Sequence, residues 1–499
     1  RLIRKLDKNE NQFYIVKFDN AITANKIRLC VGRGYTRAEM KVGEIRFYNY
    51  DSLEDDIMGL YSDEMHTTLR SGVTAETIDA LEKRLEKPDS ESGEKHPLYS
   101  ELKLEIGTAR DILNNKPSAA YEVINQITGK KDGHLGFGGL NPWQPLGKTV
   151  YAGETLVVYV GHNTKRTGDS TNLNLIMTQY HAESGSLSKS SSALKIGRNE
   201  ITVPQVADKE FERGGQLYVA YSGNNASDKY AVRVLGGSDI PVLNVYGKTG
   251  TERTNAIRTY IDSLEKHVAN IEAEHGKLHK GGSKPVDYDY DQQNCILNST
   301  DIMMEKMMYS LPATQVWGPL SGKEDKVTAL DISLQAMEDT MALFYHHKGL
   351  SNDAGTERGN NALPAQHLNI RYMRMFAGAF MYAAGNHIGI EYGSTGLASG
   401  ASGLHSFGWG IAHEIGHDIN QGTYAVAEVT NNYFSQLLTG TKRYKDENVY
   451  KKVTSNTVGR ASNVFTQLAL YWQLHLAFDN NKDDHHVYSN YEDQFNNLF

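Results

Sequence analysis

One stretch constrains this chain more than any other: Gly408-Trp409-Gly410-Ile411-Ala412-His413-Glu414-Ile415-Gly416-His417. It contains the pattern H-E-x-x-H. Phe407, Ile411, Ile415 and Ile419 recur around it at helical spacing, so the stretch is predicted to be a helix. On a helix, His413 and His417 stand four residues apart and project from one face. Two neutral imidazoles so placed can hold one zinc ion. Glu414 lies about 100° round the helix from His413, where it can reach water at the metal without ligating. A hydrolytic zinc site also needs a third protein ligand and one open position.

Spacing narrows the search for that third ligand. A metzincin would carry Gly at position 420 and His at position 423, whereas this chain has Asn420 and Thr423. Downstream, Ala425-Val426-Ala427-Glu428-Val429-Thr430-Asn431-Asn432 opens a second helical pattern with Val426, Val429, Tyr433 and Leu437 as its apolar positions. Gly422 marks the end of the first helix. The short turn lets the second helix fold back antiparallel and bring Glu428 to the metal. Asn432 follows four residues later on the same face, placed to hydrogen-bond a ligand histidine from behind.

G-W-G-x-x-H-E-x-G-H followed by E-V-T-N-N resembles the enhancin-like gluzincins of peptidase family M60, which include viral enhancins and bacterial mucin-degrading proteases. The resemblance implies zinc on His413, His417 and Glu428, with Glu414 as general base. It further implies a secreted enzyme that cleaves proteins, mucins among them, beside an O-linked glycan. His405, Tyr424 and His475 are candidate oxyanion donors, and His387 and Trp409 are candidate substrate contacts.

The rest of the chain sets limits. At 499 residues, several domains are expected. The chain opens at Arg1 without a methionine or an apolar leader, as a piece of a longer protein would. No stretch approaches the ~20 apolar residues of a membrane span. A net charge of −8 argues against nucleic acid as a partner. Cys30 and Cys295 make no disulfide framework and no C-x-x-C metal knuckle. Tyr outnumbers Phe and Trp together, 29 against 14 and 4, a polar-aromatic balance that suits carbohydrate as a partner.

The expected architecture is multidomain α+β: a β-sandwich followed by a helix-rich, zincin-like metallopeptidase domain. Residues 1–50 read as strands at 13–18, 26–31 and 42–48, and resemble the end of a discoidin-like (F5/8 type C) carbohydrate-binding module. Residues 51–132 read as a charged helical spacer, with Thr74 as an N-cap. Residues 133–240 shorten to strands with Gly/Asn turns and are expected to form the accessory sandwich. Residues 241–499 are expected to be catalytic, with helices over 254–274 and 328–346; Ile332, Met337, Met341 and Phe344 face inward on the second. Met303, Met304, Met307 and Met308, at helical spacing, are expected in the core, and His346 and His347 in solvent. Residues 384–393 read as a strand that could pair with an extended substrate. Residues 394–406, rich in Gly and Ser, read as a mobile loop.

Two rival readings accompany the enzyme: a glycan-binding or adhesion protein with a structural or inactive zincin site, and a zinc peptidase indifferent to glycans.

Overall fold

The computed structural model describes residues 51–114 (except 64, 91 and 92), 122–124, 140–178, 189–205, 214–278 (except 224 and 226), 296–350, 363–373, 381–384, 387–391, 409–420 and 425–439, with the single positions 26, 127 and 468. The strands expected in residues 1–50 and the loop expected at 394–406 lie outside the described residues. The chain divides into two compact units, Arg1–Ala120 and Tyr121–Phe499.

In the first unit, α1 (Leu53–Met58), α2 (Ala75–Glu86) and α3 (Tyr99–Leu113) bury Leu53, Ile57, Ile78, Leu81, Leu85, Leu102 and Ile106 in one cluster. The Thr74 hydroxyl caps α2 by accepting from the Thr77 amide. Lys103 and Arg110 on α3 pair with Glu82 and Glu86 or Asp79 and Glu82 on α2, a solvated ion network of modest energetic weight.

The second unit begins with two antiparallel sheets. One orders β1 (Glu122–Ile124), β8 (Tyr230–Leu235), β3 (Thr155–His162) and β6 (Gly197–Thr202). The other orders β5 (Lys189–Lys195), β4 (Ser170–Thr178), β7 (Gly215–Tyr221), β2 (Trp143–Val150) and β9 (Ser238–Asp239). Leu156, Val158 and Val160 from the first sheet share a core with Leu175, Met177, Leu217 and Val219 from the second.

A third, mixed sheet orders β10 (Val242–Asn244), β11 (Thr300–Met303), β12 (Met307–Leu311), β13 (Leu368–Tyr372), β15 (His387–Ile390) and β14 (Met381–Ala384). One face packs against α4 (Gly250–Leu278), α5 (Ala313–Ser321) and α6 (Lys326–His347), with Ile302, Tyr309, Leu368 and Ile370 entering the helical core. Alternation sends Asn369 and Arg371 to the opposite face. There Arg371 donates to Gln216 of β7, and the Tyr218 hydroxyl donates to Asp301, forming a buried polar seam between the sheets.

Three local expectations change. The four methionines are fully buried, but on the β11–β12 hairpin rather than a helix, with Met303 opposite Met308. Ile332 is exposed; Leu330 and Leu334 take its place in the core of α6. The strand that begins at His387 is internal, and among the described residues the edge belongs to the preceding strand β14.

Two short helices follow among the described residues of the second unit: α7 (Trp409–Ile419) and α8 (Thr430–Thr439). Ile411, Ala412, Ile415 and Ile419 of α7, and Phe434, Leu437 and Leu438 of α8, join the helical core. Lys348, just past α6, donates to the Ile419 carbonyl, placing a cation where the α7 dipole is negative. Gly416 is where the two helices meet most closely. A Cβ there would sit 2.5 Å from the Asn431 carbonyl oxygen and 2.9 Å from its Cα.

That contact generates a test. In an open helix Gly→Ala gains up to ~1 kcal/mol. Here the added methyl meets backbone, and overpacking of this kind costs ~1–3 kcal/mol. Gly416→Ala should therefore lower the thermal unfolding midpoint, and a raised midpoint would show that α8 can retreat freely.

Candidate metal centre and active-site cleft

The periodicity of α7 that buries its isoleucines turns His413 and His417 to the opposite side, towards α8. Their Nε2 atoms lie 3.2 Å apart. Glu428 presents Oε2 to His413 Nε2 and Oε1 to His417 Nε2, each at 3.2 Å. Among the described residues this is the group of His and carboxylate side chains able to hold a metal. The edges fit a zinc ion. Ligands at roughly 2.0–2.1 Å around a tetrahedral ion are separated by ~3.3–3.4 Å. Two imidazoles and a carboxylate occupy three vertices and leave a fourth.

Glu428 is not on the second helix. It lies on the turn before α8, with φ of 61°, a left-handed conformation that a residue with a Cβ adopts at a cost. Local hydrogen bonds hold the turn. Thr430 Oγ1 accepts from the Val426 amide and from Asn420 Nδ2, and donates to the Val426 carbonyl. Val426, expected on an apolar face, is therefore exposed, whereas Val429 and Leu437 are buried.

Asn432 ties the two ligand-bearing segments together. Its Oδ1 accepts from His413 Nδ1 at 2.7 Å, and its Nδ2 donates to the Glu428 carbonyl at 2.7 Å. The first bond places the proton on Nδ1 and leaves the Nε2 lone pair for a metal. The second holds the turn that carries Glu428.

A cleft of about 520 Å³ opens beside these groups, lined by Met381–Ala384 of β14, by His413, Glu414, His417 and Asp418 of α7, and by Glu428. Glu414 is 9% exposed, and the Ala383 backbone amide donates to its carboxylate. Burial raises its pKa, with Glu428 adding to the shift, while His413 and the Ala383 amide oppose it. Burial and the neighbouring His413 lower the pKa of His417, which favours the neutral imidazole that metal ligation requires.

The remaining candidates separate. His387 is buried and bonds the Tyr382 hydroxyl through Nε2 at 2.9 Å, so it braces β14 and does not line the cleft. Gly389 makes room for that Tyr382 ring, since a Cβ would meet it at 2.2 Å. Trp409 opens α7 outside the cleft lining, and its carbonyl accepts from Ser435. His346 is exposed and His347 half-buried beside Tyr433. His405, Tyr424 and His475 lie outside the described residues. Sequence reasoning missed β14, Asp418 and Asn431. Only the E-V-T-N-N run hinted at the last, by doubling the asparagine.

Two outcomes follow from this geometry. Asn432→Ala removes the acceptor for His413 and one support of the Glu428 turn, so zinc affinity should fall roughly ten- to a hundredfold in chelator competition. An affinity equal to the parent's would separate Asn432 from the site. The second outcome concerns Asp418, which is 3% exposed with Oδ2 unpartnered. Burial, and then the charge of Glu414, push its carboxyl up to about 9. The folded value exceeds the unfolded one of ~3.9, so its stabilising contribution is complete below that value and lost as pH rises towards 9. Metal-free Asp418→Asn should melt above the parent at pH 8 and lose that advantage at pH 4. A difference independent of pH would show that the carboxyl is ionised throughout.

Likeness to known proteins bears on the family and the fold. Residues 300–496 match the family model described as Peptidase M60, enhancin and enhancin-like. The structure resembles the CBM32-1, CBM32-2 and M60 catalytic domains of Clostridium perfringens ZmpB, at 22% identity and a TM-score of 0.58, covering 90% of this chain and 44% of that one. It also resembles the M60 catalytic domain of Clostridium perfringens ZmpC in complex with the sialyl T antigen, at 22% identity and a TM-score of 0.54, covering 74% and 69%. A metallopeptidase from Bacteroides thetaiotaomicron shares 15% identity with a TM-score of 0.51, covering 91% and 69%. The chain thus spans less than half the length of the ZmpB structure, and at these identities the likeness is one of fold. No curated protein matches the sequence. Among the described residues no helix is long and apolar enough to cross a membrane. Over residues 300–496, the chain carries a domain of the peptidase M60, enhancin and enhancin-like family.

Proposed function

We propose that this chain is a secreted zinc endopeptidase that hydrolyses peptide bonds of O-glycosylated, mucin-type proteins. The observation that carries the proposal is the 3.2 Å triangle of His413, His417 and Glu428 beside a buried carboxylate in an open cleft. His413, His417 and Glu428 would hold the ion. A bound Zn²⁺ supplies Lewis acidity to the scissile carbonyl and lowers the pKa of water to ~7.

The chain's own groups do the rest. Glu414 takes a proton from the attacking water on its carboxylate and returns it to the leaving amine. Its raised pKa suits a group that must both accept and release a proton near neutrality. The Ala383 amide fixes which way that carboxylate points. Because this N–H is directed at Glu414, the Ala383 carbonyl, on the same side of the strand, faces the cleft. It can accept from an extended peptide laid along the β14 edge.

A structural metal site has no use for a base at Glu414, which favours the enzyme over a binding protein with an inactive site. The glycan part of the proposal rests on the family and on the ZmpC catalytic domain having been solved with the sialyl T antigen.

Zinc-loaded protein should cleave an O-glycosylated peptide beside the modified residue and spare the same peptide without its sugar, with termini mapped by mass spectrometry. Glu414→Gln should keep its zinc and lose activity by ~10²–10⁴-fold. Equal cleavage of bare and glycosylated peptide would reduce the protein to a zinc peptidase indifferent to sugar. Loss of zinc in Glu414→Gln would make Glu414 a ligand instead of a base.

A further inference from the structure

Asn431 is fully buried between the two histidines, and the mechanism above gives it no task. Its Nδ2 lies 3.1 Å from Nδ1 and 3.2 Å from Nε2 of His413. Near-equal distances to two atoms of one ring place the amide over the ring, not at its edge. The same Nδ2 is 3.0 Å from Nε2 of His417. The imidazoles stand at 85° to one another with centroids 4.8 Å apart. The amide therefore occupies the angle between them, touching His413 and His417 at once.

The cost of this placement is visible. Asn431 Oδ1 is buried, with no hydrogen-bond partner among the described residues. A buried polar atom left unsatisfied is unfavourable, and an apolar side chain of similar shape would avoid the penalty. The backbone leaves the residue little freedom to move, because its carbonyl and Cα pack against Gly416 of the metal helix. A polar group held rigidly against both imidazoles, at a cost to the fold, points to a task at the site.

We propose that Asn431 is a positioning residue that sets the mutual orientation of His413 and His417. Asn432 holds one nitrogen of one ring; Asn431 fixes the angle between the two rings. Adjacent asparagines on α8 thus divide the work. The inference rests on the reading of this site as a metal centre, and its test separates the two.

The informative variant is Asn431→Leu, which keeps most of the volume and removes the polar head. A merely structural residue would show itself in stability, and here the signs are opposed. Without metal, Asn431→Leu should melt at or above the parent temperature, because the orphaned oxygen is gone. Its zinc dissociation constant, measured by chelator competition, should rise roughly ten- to a hundredfold. With Co²⁺ as probe, the visible d–d bands should shift or weaken, reporting a changed ligand geometry. Asn431→Ala, which also removes the volume, should shift them further; if it fails to fold, Asn431→Leu decides alone. Parent-like affinity and bands in a folded Asn431→Leu overturn the proposal and leave the metal site standing. A parent protein that takes up no Co²⁺ overturns the metal reading and this proposal together.

Discussion

The site depends on one close approach of backbone. Gly416 lets the first turn of α8 lie directly on α7, closer than any side chain would allow. From that contact follow the position of Asn431 over the histidines, the bond from His413 to Asn432, and the place of the Glu428 turn. Glu428 need not be held by packing of its own: it is half-exposed, in a left-handed conformation, and tethered from the helix behind it through Asn432 and Thr430. Side chains drawn from one helix and a turn are brought within 3.2 Å of one another by hydrogen bonds that are mostly sequence-local once the two helices have docked.

Charge in the cleft is arranged with equal economy. Glu414 and Asp418 are one helical turn apart and both buried, and burial raises both pKa values, with the charge of Glu428 adding at Glu414 and that of Glu414 adding at Asp418. Such a pair is unfavourable without a compensating cation. The same burial lowers the pKa of His417, which favours its neutral form. A site that gathers carboxylates beside imidazoles is electrostatically matched to a dication and poorly matched to its absence. The seam of Tyr218, Asp301, Ser310, Asn369 and Arg371 locks the mixed sheet against β7, and it lies on the sheet face away from the helical core. This seam backs the mixed sheet on the face away from the helices, so that the position of β14 is set from behind.

Topology then supplies the cleft. The mixed sheet runs outward through β13 and β15 and turns back once, leaving β14 antiparallel at the rim beside α7. Tyr382 crosses Gly389 to reach His387, which pins the edge strand to its neighbour. The Ala383 amide bonds the Glu414 carboxylate from this strand. In the proposed reading, one residue of β14 serves both the base and the docking of an extended peptide.

The sequence alone determined what depends on short-range periodicity. The four-residue interval puts His413 and His417 on one face, the adjacent position keeps Glu414 off the ligand set, and the further interval to Asn432 repeats the logic on α8; all three are properties of a helix wherever it packs. The types of residue in the third-ligand segment were legible for the same reason, as was the capping of α2 by Thr74. What only the tertiary structure decided depends on which elements meet. Glu428 left the helix because the turn is shaped by Asn420 and Thr430 across the gap between α7 and α8. His387 became a buried brace because its strand is internal, and the edge passed to Met381–Ala384, a segment whose apolar composition says nothing of an open rim. Asn431 and Asp418 carry no signal of their own in a linear chain. An asparagine beside a histidine, or a carboxylate denied water, acquires its meaning from the distances that packing imposes, and those distances are long-range facts.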